Sequence, residues 1–137
     1  MSLTGADQPR HEPIPPELDE ASKQIIGACI EVHRHLGPGL LETVYEKALV
    51  HELGLRGLSV QQQVPVRVAY KDLVIDGQRI DLLVSPGVLV ELKAVDVILP
   101  IHEAQVLSYL KSTGLRLGLL VNFHAVVLRQ GIRRFVN

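Results

Sequence analysis

The sequence predicts an α/β domain with a mixed central sheet flanked by helices. Three observations carry that expectation. Apolar residues Ile25, Ile26, Cys29 and Ile30 with His33 recur at spacings of three and four, the period of a helix facing a core. The runs RIDLLV and VLVELK, separated only by Ser85-Pro86-Gly87, are almost continuously hydrophobic, as strands covered on both faces are. A helix-length segment beginning at Pro100 then lies between that pair and the next strand pattern, which suits a crossover joining parallel strands. The predicted order is αβββαβ, preceded by an extra N-terminal helix.

In chain order, residues 1–16 carry Pro9, Pro13, Pro15 and Pro16 among polar neighbours, so they are expected to be a flexible leader outside the fold. A single domain is expected over 17–137. Its first helix runs from about Glu17 to the breaker Gly37-Pro38-Gly39. A second helix is predicted from about Leu40 to Leu53, with Leu41, Val44, Tyr45, Ala48 and Leu49 as its buried stripe and Gly54 and Gly57 ending it. Val64, Val66, Val68 and Tyr70 alternate with Pro65, Arg67, Ala69 and Lys71, a half-buried strand. Turns are expected at Asp72 and at Asp76-Gly77, before the two central runs. The helix from Pro100 to Thr113 should bury Ala104, Leu107 and Leu110 and stop at Gly114. Strands Leu117–Val121 and Ala125–Leu128 complete the pattern, with a basic end at Arg129, Arg133 and Arg134.

Composition bounds the function. With 47% hydrophobic residues over 137 positions, the chain can bury a real core, yet no stretch is long enough to span a bilayer and no secretion signal opens it. Cys29 is the sole cysteine, which excludes an internal disulfide and fits a reducing, cytoplasmic setting. A net charge of -1 supplies no global attraction for nucleic acid, so phosphate binding would have to come from local groups. The six histidines offer no zinc spacing, and His33-Arg34-His35 sits where a helix end favours cations.

The chemistry concentrates in the central hairpin. Counting outward from Ser85-Pro86-Gly87 pairs Val84 with Val88, Leu83 with Leu89, Leu82 with Val90 and Asp81 with Glu91. Two carboxylates in that position repel and call for a cation between them. Glu91 and Lys93 are two apart and share a face. Two acids and a lysine suffice to hold a divalent metal beside a phosphodiester. The same residues, with Arg79 opposite Lys93, would equally make a four-member salt-bridge cluster. Glu42 reads either as a first-turn residue offsetting the dipole of the second helix or as a third carboxylate near the metal. Gln105 and Tyr109, four apart on one helix beside His102, could place an amide and a hydroxyl on a phosphate, or form a merely polar helix face.

Taken in order, Gly39-x-x-Glu42-x-x-Tyr45, Asp81, Glu91-x-Lys93 and Gln105-x-x-x-Tyr109 resemble the GxxExxY family of the PD-(D/E)XK nuclease superfamily. The likeness runs from about Ile25 to the C-terminus and takes in His33, Gly37-Pro38-Gly39 and Asn122-Phe123. It implies a restriction-endonuclease-like αβββαβ core and a metal-dependent nuclease. By the resemblance Asp81, Glu91 and the backbone carbonyl of Leu92 would bind Mg²⁺ or Mn²⁺. Lys93 would orient the attacking water, Glu42 would hold a water at the metal, and Gln105 would complete the catalytic set. Tyr109, Tyr45 and His33 would contact substrate. The implied partner is nucleic acid, DNA ahead of RNA, and an open sheet edge leaves room for a homodimer. Two positions depart from the pattern: Ile80 replaces the proline before the aspartate, and His124 stands where a glycine is expected. The competing reading is a non-catalytic module that keeps the nuclease fold to bind nucleic acid or protein.

Overall fold

The computed structural model describes residues 12–137. Helices α1 (Pro16–Leu36) and α2 (Glu42–Leu55) precede strands β1 (Val60–Tyr70), β2 (Leu73–Val84) and β3 (Val88–Lys93). Helix α3 (Pro100–Thr113), strand β4 (Leu117–Asn122), a 3₁₀ turn at Leu128–Gly131 and strand β5 (Ile132–Val136) follow. The five strands lie in the order β1-β2-β3-β4-β5, antiparallel except for β3 and β4. This is an α/β fold with a mixed sheet, as the sequence predicts. It matches the restriction-endonuclease-like core.

Helices cover both faces. On one side α1 and α2 contribute Ile25, Cys29, Tyr45 and Leu49 to a core with Leu82, Val90, Leu92 and Leu119. On the other, Val106, Tyr109 and Leu110 of α3 meet Ile80, Leu89 and Leu120. Burial at Cys29 pushes its thiol up to about 12, so this residue is packing and not a nucleophile. Local chemistry sets the ends of α1: Pro16 tolerates the first turn, acids Glu17 and Asp19 follow it, and His33, Arg34 and His35 occupy the last turn. Gly118 sets the seat of α3, because a Cβ there would stand 3.1 Å from Val106 Cγ1 and 3.3 Å from Leu110 Cδ1.

Several expectations need correction. Of the leader, residues 1–11 lie outside the described residues; residues 12–15 are not free of the fold, since Ile14 packs on the core and Arg116 donates to the Glu12 carbonyl at 2.7 Å. Asp76-Gly77 is no turn. Strand β2 runs through it with a register shift between Val66 and Val68 of β1, so the chain bulges there and reverses at Lys71-Asp72. The buried stripe of α2 is Tyr45, Leu49 and Leu53, while Leu41 is 74% exposed; that of α3 is Val106, Tyr109 and Leu110. Both stripes are rotated because the sheet, not local hydrophobicity, decides which side is covered. Ala125–Leu128 is not a strand, and Val126 is 84% exposed. The last strand is Ile132–Val136, whose Arg134 pairs with Asp19 at 2.9 Å and Arg133 with Glu103 at 3.6 Å.

Candidate active site

The hairpin register is as counted for three rungs, Val84 with Val88, Leu83 with Leu89 and Leu82 with Val90, and there the ladder ends. Where Asp81 would face Glu91, side chains replace backbone. Asp81 N–H donates to Glu91 Oε2 at 2.7 Å, and Leu92 N–H donates to Asp81 Oδ2 at 2.9 Å. Each carboxylate spends one oxygen on the other's strand. Glu91 Oε1 takes no hydrogen bond among the described residues, and it is not fully sealed from solvent. Glu91 as a residue is only 2% exposed. Burial first, then the neighbouring Asp81 charge, pushes its carboxyl up to about 8. The two carboxyl groups thus meet through side-chain hydrogen bonds and not as the backbone rung that the register count expects.

The salt-bridge alternative does not form. Among the described residues no ion pair joins Arg79, Asp81, Glu91 and Lys93, and Arg79 is exposed. Lys93 Nζ instead donates to Gln105 Oε1 at 3.4 Å. From there a polar chain runs on: Gln105 Nε2 donates to the Tyr109 hydroxyl at 3.1 Å, which donates to Gln78 Oε1 at 2.7 Å. Burial and the charge of Glu91 hold the Tyr109 hydroxyl above its ordinary value, keeping it a neutral donor. Gln105 and Tyr109 thus share a face, as their spacing of four requires.

Glu42 opens α2 as its first residue, two positions earlier in the helix than a start at Leu40 would give, and makes no capping hydrogen bond. Burial, followed by the charge of Asp81, raises its pKa, while Lys93 opposes the shift. Glu42 therefore lies within the electrostatic reach of the hairpin acids. Tyr45 and His33 point elsewhere. Tyr45 is fully buried and stacks on Phe123 with centroids 4.6 Å apart; its hydroxyl donates to the Gly37 carbonyl at 2.5 Å and accepts from Leu40 N–H at 3.1 Å. His33 Nε2 meets the Ala125 carbonyl at 2.8 Å. Both brace the loops that flank the site, and neither hydrogen-bonds to the carboxylate cluster. His124, in the expected glycine position, contacts the Leu40 carbonyl through Nε2 at 3.0 Å.

Lys93, Gln105 and Tyr109 line a cleft of about 900 Å³ between α3 and the β1–β2 arm, walled further by Arg67, Lys111 and Ser112. His102 lies at its rim, where its Nδ1 accepts the Leu99 N–H at 2.9 Å and caps α3. Nothing in the sequence signalled that Arg67 would share a cleft with Lys93 and Gln105; the hairpin arm alone brings it over.

The donor set fits a hard divalent cation. Carboxylate oxygens suit Mg²⁺ or Mn²⁺, and Mg²⁺ is commonly held by one or two carboxylates, with water and phosphate oxygens filling the remaining positions. Among the described residues no group of three or more His, Cys, Asp or Glu side chains converges to form a closed cage. Asp81 and Glu91 are the two that meet.

A family model described as the PD-(D/E)XK nuclease superfamily matches residues 19–135. No curated protein and no solved structure matches the chain. Among the described residues no helix is long and apolar enough to cross a membrane.

Proposed function

The chain belongs to the PD-(D/E)XK nuclease superfamily, and from that premise we propose that it is a metal-dependent nuclease hydrolysing phosphodiester bonds of nucleic acid, DNA in preference to RNA. The observation that carries the reading is the interlocked pair: Asp81 and Glu91 each anchor the other's strand through one oxygen, and Glu91 keeps its second oxygen free of hydrogen bonds. Within the superfamily we assign it to the GxxExxY branch. Gly39 with φ +105° turns the chain into α2, Glu42 begins the helix, and Tyr45 ties the turn down.

On this reading Asp81 and Glu91, with the Leu92 carbonyl, hold Mg²⁺ or Mn²⁺. When bound, the metal lowers the pKa of a coordinated water and offsets charge on the phosphate. Lys93 supplies a fixed positive charge at the phosphate, and the Gln105–Tyr109 chain keeps its ammonium from folding back onto the acids. Glu42, with its raised pKa, is suited to orient water and take its proton. The water oxygen bonds to phosphorus as the bond to the leaving sugar oxygen breaks, and that oxygen is protonated from solvent. The cleft with Arg67 and Lys111 receives the strand adjoining the scissile phosphate.

The test is cleavage of labelled single- and double-stranded DNA and RNA with Mn²⁺ or Mg²⁺, run beside Asp81→Ala and Glu91→Ala. Cleavage that vanishes in both variants supports the assignment. Cleavage that persists in either refutes it.

A further inference from the structure

Gln63 lies in the middle of β1 with φ +52°, a left-handed conformation that a side-chain-bearing residue rarely adopts. The other such residue, Lys71, sits in the β1–β2 turn, where reversal requires it. Gln63 has no turn to make. Its neighbours pair regularly with β2, Gln62 with Leu82 and Val64 with Ile80, but the rung between them, Gln63 with Asp81, is missing. On the far side of β2 the ladder with β3 also stops one residue short of Asp81. Ile80 and Leu82, two apart on one strand, consequently enter opposite cores. The sheet is interrupted on both flanks of one aspartate.

The side chain of Gln63 fills the interruption. Its Nε2 lies 3.4 Å from Asp81 Oδ1 and 3.2 Å from each carboxylate oxygen of Glu46 on α2. Glu46 also accepts from Gln62 Nε2 at 3.1 Å. Carboxylates only accept, so these partners decide which end of the amide faces them. Asp81 Oδ2 is already taken by Leu92 N–H. The amide therefore reaches the one oxygen left for a ligand.

We propose that Gln63 is a positioning residue for Asp81. Its strained backbone turns the amide toward the carboxylate, Glu46 holds the amide from α2, and Oδ1 is presented to a divalent cation in one orientation. The inference rests on the metal-site reading above. Hydrogen-bonded partners of ligating carboxylates commonly change metal affinity when removed.

Mn²⁺ calorimetry and urea midpoints on wild type, Gln63→Ala, Gln63→Gly, Glu46→Ala and the Gln63→Ala/Glu46→Ala double variant test it. Gln63 is exposed, so no cavity opens. Mn²⁺ affinity is expected to fall about tenfold in both Gln63 variants. The double variant should be no weaker than Gln63→Ala alone, since both act through one amide. Strain predicts that Gln63→Gly is more stable than Gln63→Ala, the reverse of an ordinary strand position. Wild-type affinity in either Gln63 variant, additive losses in the double variant, or an alanine variant more stable than the glycine variant overturns the inference while leaving the metal site standing. A wild type that binds no Mn²⁺ overturns the metal-site reading and this inference together.

Discussion

Asp81 donates its backbone N–H to Glu91 Oε2 at 2.7 Å, so the carboxylate of one strand completes a rung that the backbone of the hairpin leaves open. The ladder thereby ends in a pair of acids and not in a pair of peptides. Most of the expected behaviour of the site follows from that substitution.

Metal binding should release a proton. Glu91 holds its proton to about 8 in the metal-free protein, and a ligating carboxylate must be ionised. Titrating Mn²⁺ at pH 7 in buffers of different ionisation enthalpy should show about one proton released per site, falling toward none near pH 9. Asp81→Ala should abolish the binding heat. A release independent of pH would mean that Glu91 is not a ligand.

Stability of the metal-free protein should decline with pH. Glu91 has an ordinary value of 4.5 and a folded value of about 8, so between them the unfolded chain binds fewer protons than the native one. Its contribution is complete below pH 4.5 and is lost as pH rises through about 8. Urea midpoints from pH 4 to 9 in chelator measure this. Glu91→Gln, permanently neutral, should flatten the slope and be the more stable protein at pH 8.

Lys93→Ala should lower the rate of cleavage by about 10²–10³, the usual effect of removing one donor to a transition-state oxyanion. Its ammonium touches Gln105 and no carboxylate, so the urea midpoint should move little. Single-turnover rates compared with the midpoint separate the two. Equal rates would remove Lys93 from the chemistry.

Lys111→Ala should weaken nucleic-acid binding without slowing chemistry at saturation. It lines the cleft with Arg67, away from the carboxylates. The slope of log K against log salt should become shallower by about 1. Fluorescence anisotropy across a salt series reads it, and an unchanged slope would place the strand on another face.

Gly118→Ala should destabilise the fold by about 1–3 kcal/mol, the range for overpacking a tight contact. The added methyl would press on Val106 and Leu110 and lift α3 from β4. Because α3 carries Gln105, cleavage should fall together with the thermal midpoint.

The hairpin register could be counted from the connector because three residues fix it, and Glu91-x-Lys93 shared a face because strand period is two. The same period misleads at Asp81, where Ile80 and Leu82 part company. Nothing in the polar run Gln61-Gln62-Gln63 signals a left-handed residue, and the cost of that conformation is met by contacts to Glu46 and Asp81 that lie far off in sequence. Ala125–Leu128 has strand-like composition, yet the partner edge of β4 is taken by Ile132–Val136. Pairing decided this, not propensity. Nothing in the spacing of Tyr45 and His33 signalled that their polar groups would be spent on the Gly37, Leu40 and Ala125 backbone.

Tyr45 stacks on Phe123 with an interplanar angle of 6°, and Phe123 N–H donates to the Lys93 carbonyl at 2.9 Å. Three residues before Tyr45 on the same helix stands Glu42. One aromatic sandwich thus bolts the helix carrying an acid to the strand end carrying the lysine, and neither can drift without the other. Tyr45 works as a spacer gauge: through Phe123 it sets the separation between the start of the Glu42 helix and the Lys93 end of its strand.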